Sequence, residues 1–128
     1  MAITTTEISI RRKKLRNLLD RIEGLTFFGA HQDPLIQGAA SKVYRRCGNK
    51  NCKCLSDENR HGPYMVIQLY ENKKQRQVSV NENQQDYWHQ ANNYQKQIKS
   101  LLKLKKSCNE LVNEVETIIQ KRLTPWEY

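Results

Sequence analysis

Three thiols and an imidazole fall within fifteen residues of this chain: Cys47-Gly-Asn-Lys-Asn-Cys52-Lys-Cys54, then His61-Gly-Pro-Tyr64. Thiolate and neutral imidazole are the ligands that zinc takes in four-coordinate tetrahedral sites. Cys52 and Cys54 flank a single lysine, so a bend there brings both sulfurs to one point. Cys47 reaches that point across the Gly48–Asn51 turn, where glycine can take a positive φ. The spacers are polar, basic or turn-forming, so the segment has little apolar surface with which to fold itself. A bound metal would supply that folding energy. Cys47, Cys52, Cys54 and His61 are therefore the expected ligands of one structural Zn²⁺. The fourth cysteine, Cys108, is expected to be a small core residue. His31 and His89 have no ligand-rich surroundings and read as surface or interface residues.

Three thiolates and a neutral imidazole around Zn²⁺ leave one net negative charge. Arg45, Arg46, Lys50 and Lys53 stand ready to offset it. All four ligand positions are used, whereas a catalytic zinc keeps one open. The Glu and Pro-Cys-x-x-Cys segment of zinc deaminases are absent, as are phosphate-binding glycine loops and a serine nucleophile elbow. No enzymatic activity is expected.

The 128 residues carry 22 Lys and Arg against 13 Asp and Glu, a net charge of +9. The excess is clustered. Residues 42–81 hold nine bases and three acids, and residues 1–25 hold six and three. Clustering of this kind suits a polyanion, so nucleic acid, DNA or RNA, is the expected partner. Lys42, Arg45, Arg46, Lys50, Lys53 and Arg60 surround the knuckle. Arg11, Arg12, Lys13, Lys14 and Arg16 form a second cluster, which can equally be a solvated helix face. Tyr44, Tyr64 and Tyr70 are interleaved with the first cluster, and exposed tyrosines stack on unpaired bases. Packing of a thin hairpin is expected to claim at least two of the three, which leaves Tyr64 as the candidate contact.

The elements that must position these groups read from periodicity. Thr4 and Glu7 have capping-box spacing, and Ile8, Leu15, Leu18, Leu19, Ile22 and Leu25 form one apolar stripe, predicting a helix over 4–25. Residues 26–42 read as irregular, with Phe27 and Phe28 folded back on the helix. Val43-Tyr44 begins a short strand, and Tyr64–Tyr70 and Gln75–Val80 predict a hairpin turning at Glu71–Lys74. From Asn83 to Leu123 there is no Pro or Gly. Tyr87, Tyr94, Leu101, Cys108 and Val115 recur by sevens, with Leu104, Leu111 and Ile118 at the companion position. Such a helix spans roughly 60 Å, more than the first helix can cover. Its remainder is expected to meet a second copy of the chain or a larger protein partner. Trp126 and Tyr128, after Pro125, form an aromatic tail that ought to be buried.

The expected architecture is α+β in one domain over 1–128. It comprises a basic amphipathic helix (4–25), a zinc knuckle with a β-hairpin (43–80), a long helix (83–123) forming an antiparallel pair or coiled coil, and the tail (124–128). Met1-Ala-Ile-Thr lacks a basic start and an apolar h-region, and no apolar run reaches membrane-spanning length. A cytoplasmic setting without membrane contact is therefore expected, where thiols stay reduced.

At Tyr44–Cys54 and His61-Gly-Pro-Tyr64 the chain resembles a family of small, largely uncharacterised bacterial and archaeal proteins built on a CGxxxCxC…HGPY core. The resemblance covers roughly residues 37–122, including Asn93-Tyr94. Family members usually have Gly-Ser-Leu where this chain has Gly38-Ala-Ala-Ser41, and Pro where it has Lys50. The resemblance implies a short hairpin and long helix after the core, with Cys47, Cys52, Cys54 and His61 as ligands. It implies no enzymatic reaction. Members often lie near transposase and other mobile-element genes, which implies a nucleic-acid accessory role. An adaptor or oligomerisation subunit that docks on a larger enzyme through the long helix is the alternative.

Overall fold

A computed structural model describes residues 2–126. The chain is α+β, with the order α1 (Thr5–Gly29), β1 (Ala39–Arg45), β2 (His61–Glu71), β3 (Lys74–Ser79) and α2 (Gln85–Lys121). Single 3₁₀ turns at Lys53–Leu55, Asp57–Asn59 and Glu82–Gln84 punctuate the connections. Two compact units result: residues up to Gln32 with those from Ile98 onward, and Asp33–Gln97.

The first unit is a helix pair. Thr4 caps α1, its Oγ1 accepting the Glu7 N–H at 3.1 Å. The helix runs four residues past the expected end. A lone helical glycine costs only about 1 kcal/mol, and Leu25, one residue after Gly24, belongs to the packed stripe. Phe27 and Phe28 thereby fall in the last turn of α1 and stand exposed, not folded back.

The pairing is antiparallel, as its ion pairs show. Glu7 near the start of α1 accepts from Lys121 at the end of α2 at 2.6 Å. Further along, Arg11 Nη1 meets Glu114 Oε1 at 2.7 Å, and Lys14 Nζ meets Oε2 at 3.1 Å. The covered row of α2 contains Ser100, Leu104, Ser107, Leu111, Glu114 and Ile118. That row shares Leu104, Leu111 and Ile118 with the expected seam. Its other half is displaced by one residue: Leu101, Cys108 and Val115 face solvent, and Ser100, Ser107 and Glu114 are buried instead. Small serines admit the neighbouring helix closely, and Glu114 is neutralised by two cations. Cys108 is therefore not a core residue. Trp126, expected to be buried, is 79% exposed; Glu127 and Tyr128 of the tail lie outside the described residues.

The second unit is a three-stranded antiparallel sheet in the order β1-β2-β3, with the first turns of α2. β1 begins four residues before the expected strand, and it extends the hairpin into a sheet. Asn72 and Lys73 both take positive φ, 51° and 63°, in the two-residue turn that joins β2 to β3. That geometry matches the twist of an antiparallel hairpin. Val66 and Ile67 point to opposite faces, yet both are buried, so both faces are covered at the centre of β2. Trp88 Nε1 donates to Ser41 O at 3.0 Å, and the Ile36 N–H donates to Gln90 O at 3.4 Å. These bonds tie the start of α2 and the α1–β1 connection to the unit. Among the described residues, no helix is long and apolar enough to cross a membrane.

Candidate metal centre

The β1–β2 connection builds the site. Arg45, the last residue of β1, pairs in register with His61, the first of β2. Cys47 lies two residues beyond that pair. The intervening loop folds back by local chemistry: Asn49 Oδ1 accepts from the Asn51 N–H at 3.1 Å, and Asn49 O accepts from the Cys52 N–H at 3.3 Å. Asparagine side chains that bond their own backbone two residues on stabilise such turns. Cys52 then heads the 3₁₀ turn that carries Cys54.

This path brings the four sequence-predicted ligands together. One ligand atom from each of Cys47, Cys52, Cys54 and His61 lies within 4.8 Å of all the others. Cys47 Sγ is 3.3 Å from Cys54 Sγ, and Cys52 Sγ is 3.1 Å from His61 Nε2. All four cysteines of the chain are free thiols. With zinc–sulfur bonds of about 2.3 Å, the corners of a tetrahedral site stand about 3.7 Å apart. The spread here brackets that value, so the four residues can hold a metal ion, and the set is compatible with zinc.

The site also favours a thiolate. Cys47 is lowered to about 6, chiefly by a hydrogen bond from the Asn49 backbone and then by Cys54 and His61. Burial pushes Cys54 up, and Cys54 is fully buried. The Cys47 N–H points at Cys54 Sγ from 3.2 Å, a backbone donor suited to a thiolate.

The glycine that matters is Gly62, not Gly48. Gly48 has no positive φ, whereas Gly62 has φ +136°. A Cβ at Gly62 would stand 2.7 Å from Val43 O. Only glycine allows β2 to leave His61 so close to β1.

Basic side chains ring this end of the sheet. Lys42, Arg45, Arg46, Lys50, Lys53 and Arg60 are all exposed. The Arg45 guanidinium lies 5.9 Å from the centre of the Tyr64 ring, and Lys42 Nζ lies 5.6 Å from that of Trp88. Tyr44, Tyr64 and Tyr70 are all exposed, at 56%, 44% and 70%. The expectation that hairpin packing claims two of them fails, because the sheet centre is filled by Val66 and Ile67. Tyr64 and Tyr70 are both at even-numbered positions of β2 and so share a face. In the helix pair, Arg11 and Lys14 are engaged by Glu114, while Arg12 and Lys13 remain exposed.

A family model for a domain of unknown function, DUF6788, matches residues 6–89. The chain belongs to the DUF6788 family. The matched region includes nearly all of α1, the whole sheet and all four candidate ligands, and it ends within the first turns of α2. No curated protein and no solved structure matches the chain.

Proposed function

We propose that the chain is a non-catalytic, zinc-binding accessory protein that binds nucleic acid in the cytoplasm. The observation that carries the reading is the surround of the metal cluster: six exposed basic side chains beside exposed Tyr44 and Tyr64. Lysines and arginines neutralise phosphates, and aromatic faces stack on unpaired bases. Zinc holds the loop that presents them. With four protein ligands its role is structural. The Arg45 guanidinium lies over the Tyr64 ring, which puts a phosphate-binding cation within reach of a ring that can stack on a base. The resemblance of the CGxxxCxC…HGPY segment to proteins near transposase genes supports service to a mobile element.

Fluorescence anisotropy with a labelled single-stranded oligonucleotide at low salt tests the reading. Tyr64→Ala should weaken binding by about 1–3 kcal/mol, the usual worth of one stacked base. Absence of binding to single-stranded and duplex DNA and RNA would remove the reading. The adaptor alternative, docking on a larger enzyme, draws its support from the exposed aliphatic row of α2.

A further inference from the structure

We infer, on the reading that the knuckle binds nucleic acid, that the ligand is a single strand laid along the sheet, on the face that carries Tyr64 and Tyr70. Alternate residues of a strand share a face, and so do residues paired across antiparallel strands. Tyr64, Gln68 and Tyr70 of β2 therefore stand with three residues of β3: Gln77 opposite Gln68, Gln75 opposite Tyr70, and Ser79 opposite Val66. All six are exposed, and none is charged. Val66 is buried, and Ala39, Ser41 and Val43 on the β1 side of this face are half-buried, so its open part is the β2–β3 half. The opposite face is apolar and covered. Ile67 is buried there, and Met65, Leu69 and Val78 are half-buried. Lys42, which shares that face by its pairing with Met65, lies over Trp88, which puts the first turn of α2 on that side.

Charge and chemistry select the occupant. The two rings stand about 20 Å apart along β2, at roughly 3.3 Å per residue. Cations bracket that distance. Arg45 lies over Tyr64 at the knuckle end, and Lys73 and Lys74 are exposed at the hairpin end beside Tyr70. Glu71, on the opposite face, is engaged by Arg76 at 3.9 Å. A polyanion with its bases on the uncharged row would thus meet positive charge at both ends of it. The row itself holds aromatic rings, which stack on base faces, and carboxamides, which bond base edges. A single strand offers both. A duplex keeps its base faces stacked and its Watson–Crick edges paired, so it would engage the knuckle through its phosphates alone.

Fluorescence anisotropy on the full zinc-loaded chain, with a labelled single strand of about 12 nucleotides and its duplex as probes, tests the inference. The single strand should bind about tenfold or more tighter than the duplex at equal salt, since only it offers base faces to the rings. Tyr70→Ala should weaken single-strand binding by about 5- to 100-fold, the usual effect of losing one stacked base. It should leave duplex binding and zinc content unchanged, and Tyr70→Phe should bind as the wild type does. A single strand carrying 5-iodouracil should photocrosslink to Tyr70. Duplex bound as tightly as single strand, or single-strand binding unmoved in Tyr70→Ala, overturns the inference and leaves the nucleic-acid reading of the knuckle standing. No binding of either probe at low salt, as DNA or as RNA, removes both. If Tyr70→Ala does not fold, the crosslink decides, and its absence from Tyr70 overturns the inference.

Discussion

Cys52 Sγ and His61 Nε2 stand 3.1 Å apart although they lie nine positions apart in the sequence, and the link is made by the register of β1 against β2. The Asn49 turn and the 3₁₀ turn at Lys53–Leu55 deliver the sulfurs. β2 delivers the imidazole. The site is thus a joint between a loop with no core of its own and a sheet that has one.

Metal content should follow that joint. Purified protein should carry one zinc per chain by elemental analysis. Cys52→Ser and His61→Ala should lose most of it and lose order in the loop, whereas Cys108→Ala, on exposed α2, should keep it. Full occupancy in both ligand variants would count against the assignment.

Gly62 gives a test that touches no ligand. Gly62→Ala puts a Cβ 2.7 Å from Val43 O at a φ of +136°. Strain of this sort costs about 1–3 kcal/mol. The variant should melt earlier and bind zinc more weakly by competition with a chelator. An unchanged melt would show that the β1–β2 approach is looser than the register implies.

The helix pair should respond to acid through Glu114. Its hydrogen bond with the Arg11 guanidinium, then that with Lys14, holds the carboxyl below its ordinary 4.5. A depressed folded value means stability that is present above the ordinary carboxylate range and lost as pH falls through the depressed value. Glu114→Gln should cost about 1–3 kcal/mol at neutral pH, and its deficit relative to wild type should shrink in strong acid. A deficit independent of pH would mean that shape, not charge, is what the variant removes.

The candidate ligand cluster and most elements are legible because their signals are local. Four metal-binding side chains in fifteen residues need no tertiary information, and the Thr4–Glu7 cap and the Asn72-Lys73 turn are encoded within a few residues. What was not legible depended on non-local packing. Leu101 and Ser100 are adjacent, and a heptad count on hydrophobicity alone prefers Leu101. The structure buries Ser100 and Ser107 because α1 approaches that side and brings Arg11 to Glu114. Cys108 and Phe27 are exposed for the related reason that two helices can cover only one row each. Ala39-Ala-Ser41 lacks strand propensity, and it is pairing with Gln68, Ile67 and Val66 that makes it part of β1. Gly48 drew attention by lying between ligands, while the strained position, Gly62, is set by how close β2 comes to Val43.

The proposal that basic residues around the metal cluster bind phosphates is tested most directly by the salt dependence of oligonucleotide affinity. For wild-type protein, the logarithm of affinity should fall linearly with log salt, by roughly 0.7–0.9 per phosphate contact. Arg45→Gln with Arg46→Gln should weaken binding and flatten that slope by about one to two units, with one zinc per chain retained. Unmeasurable binding at low salt, or a slope identical in the double variant, would contradict the account.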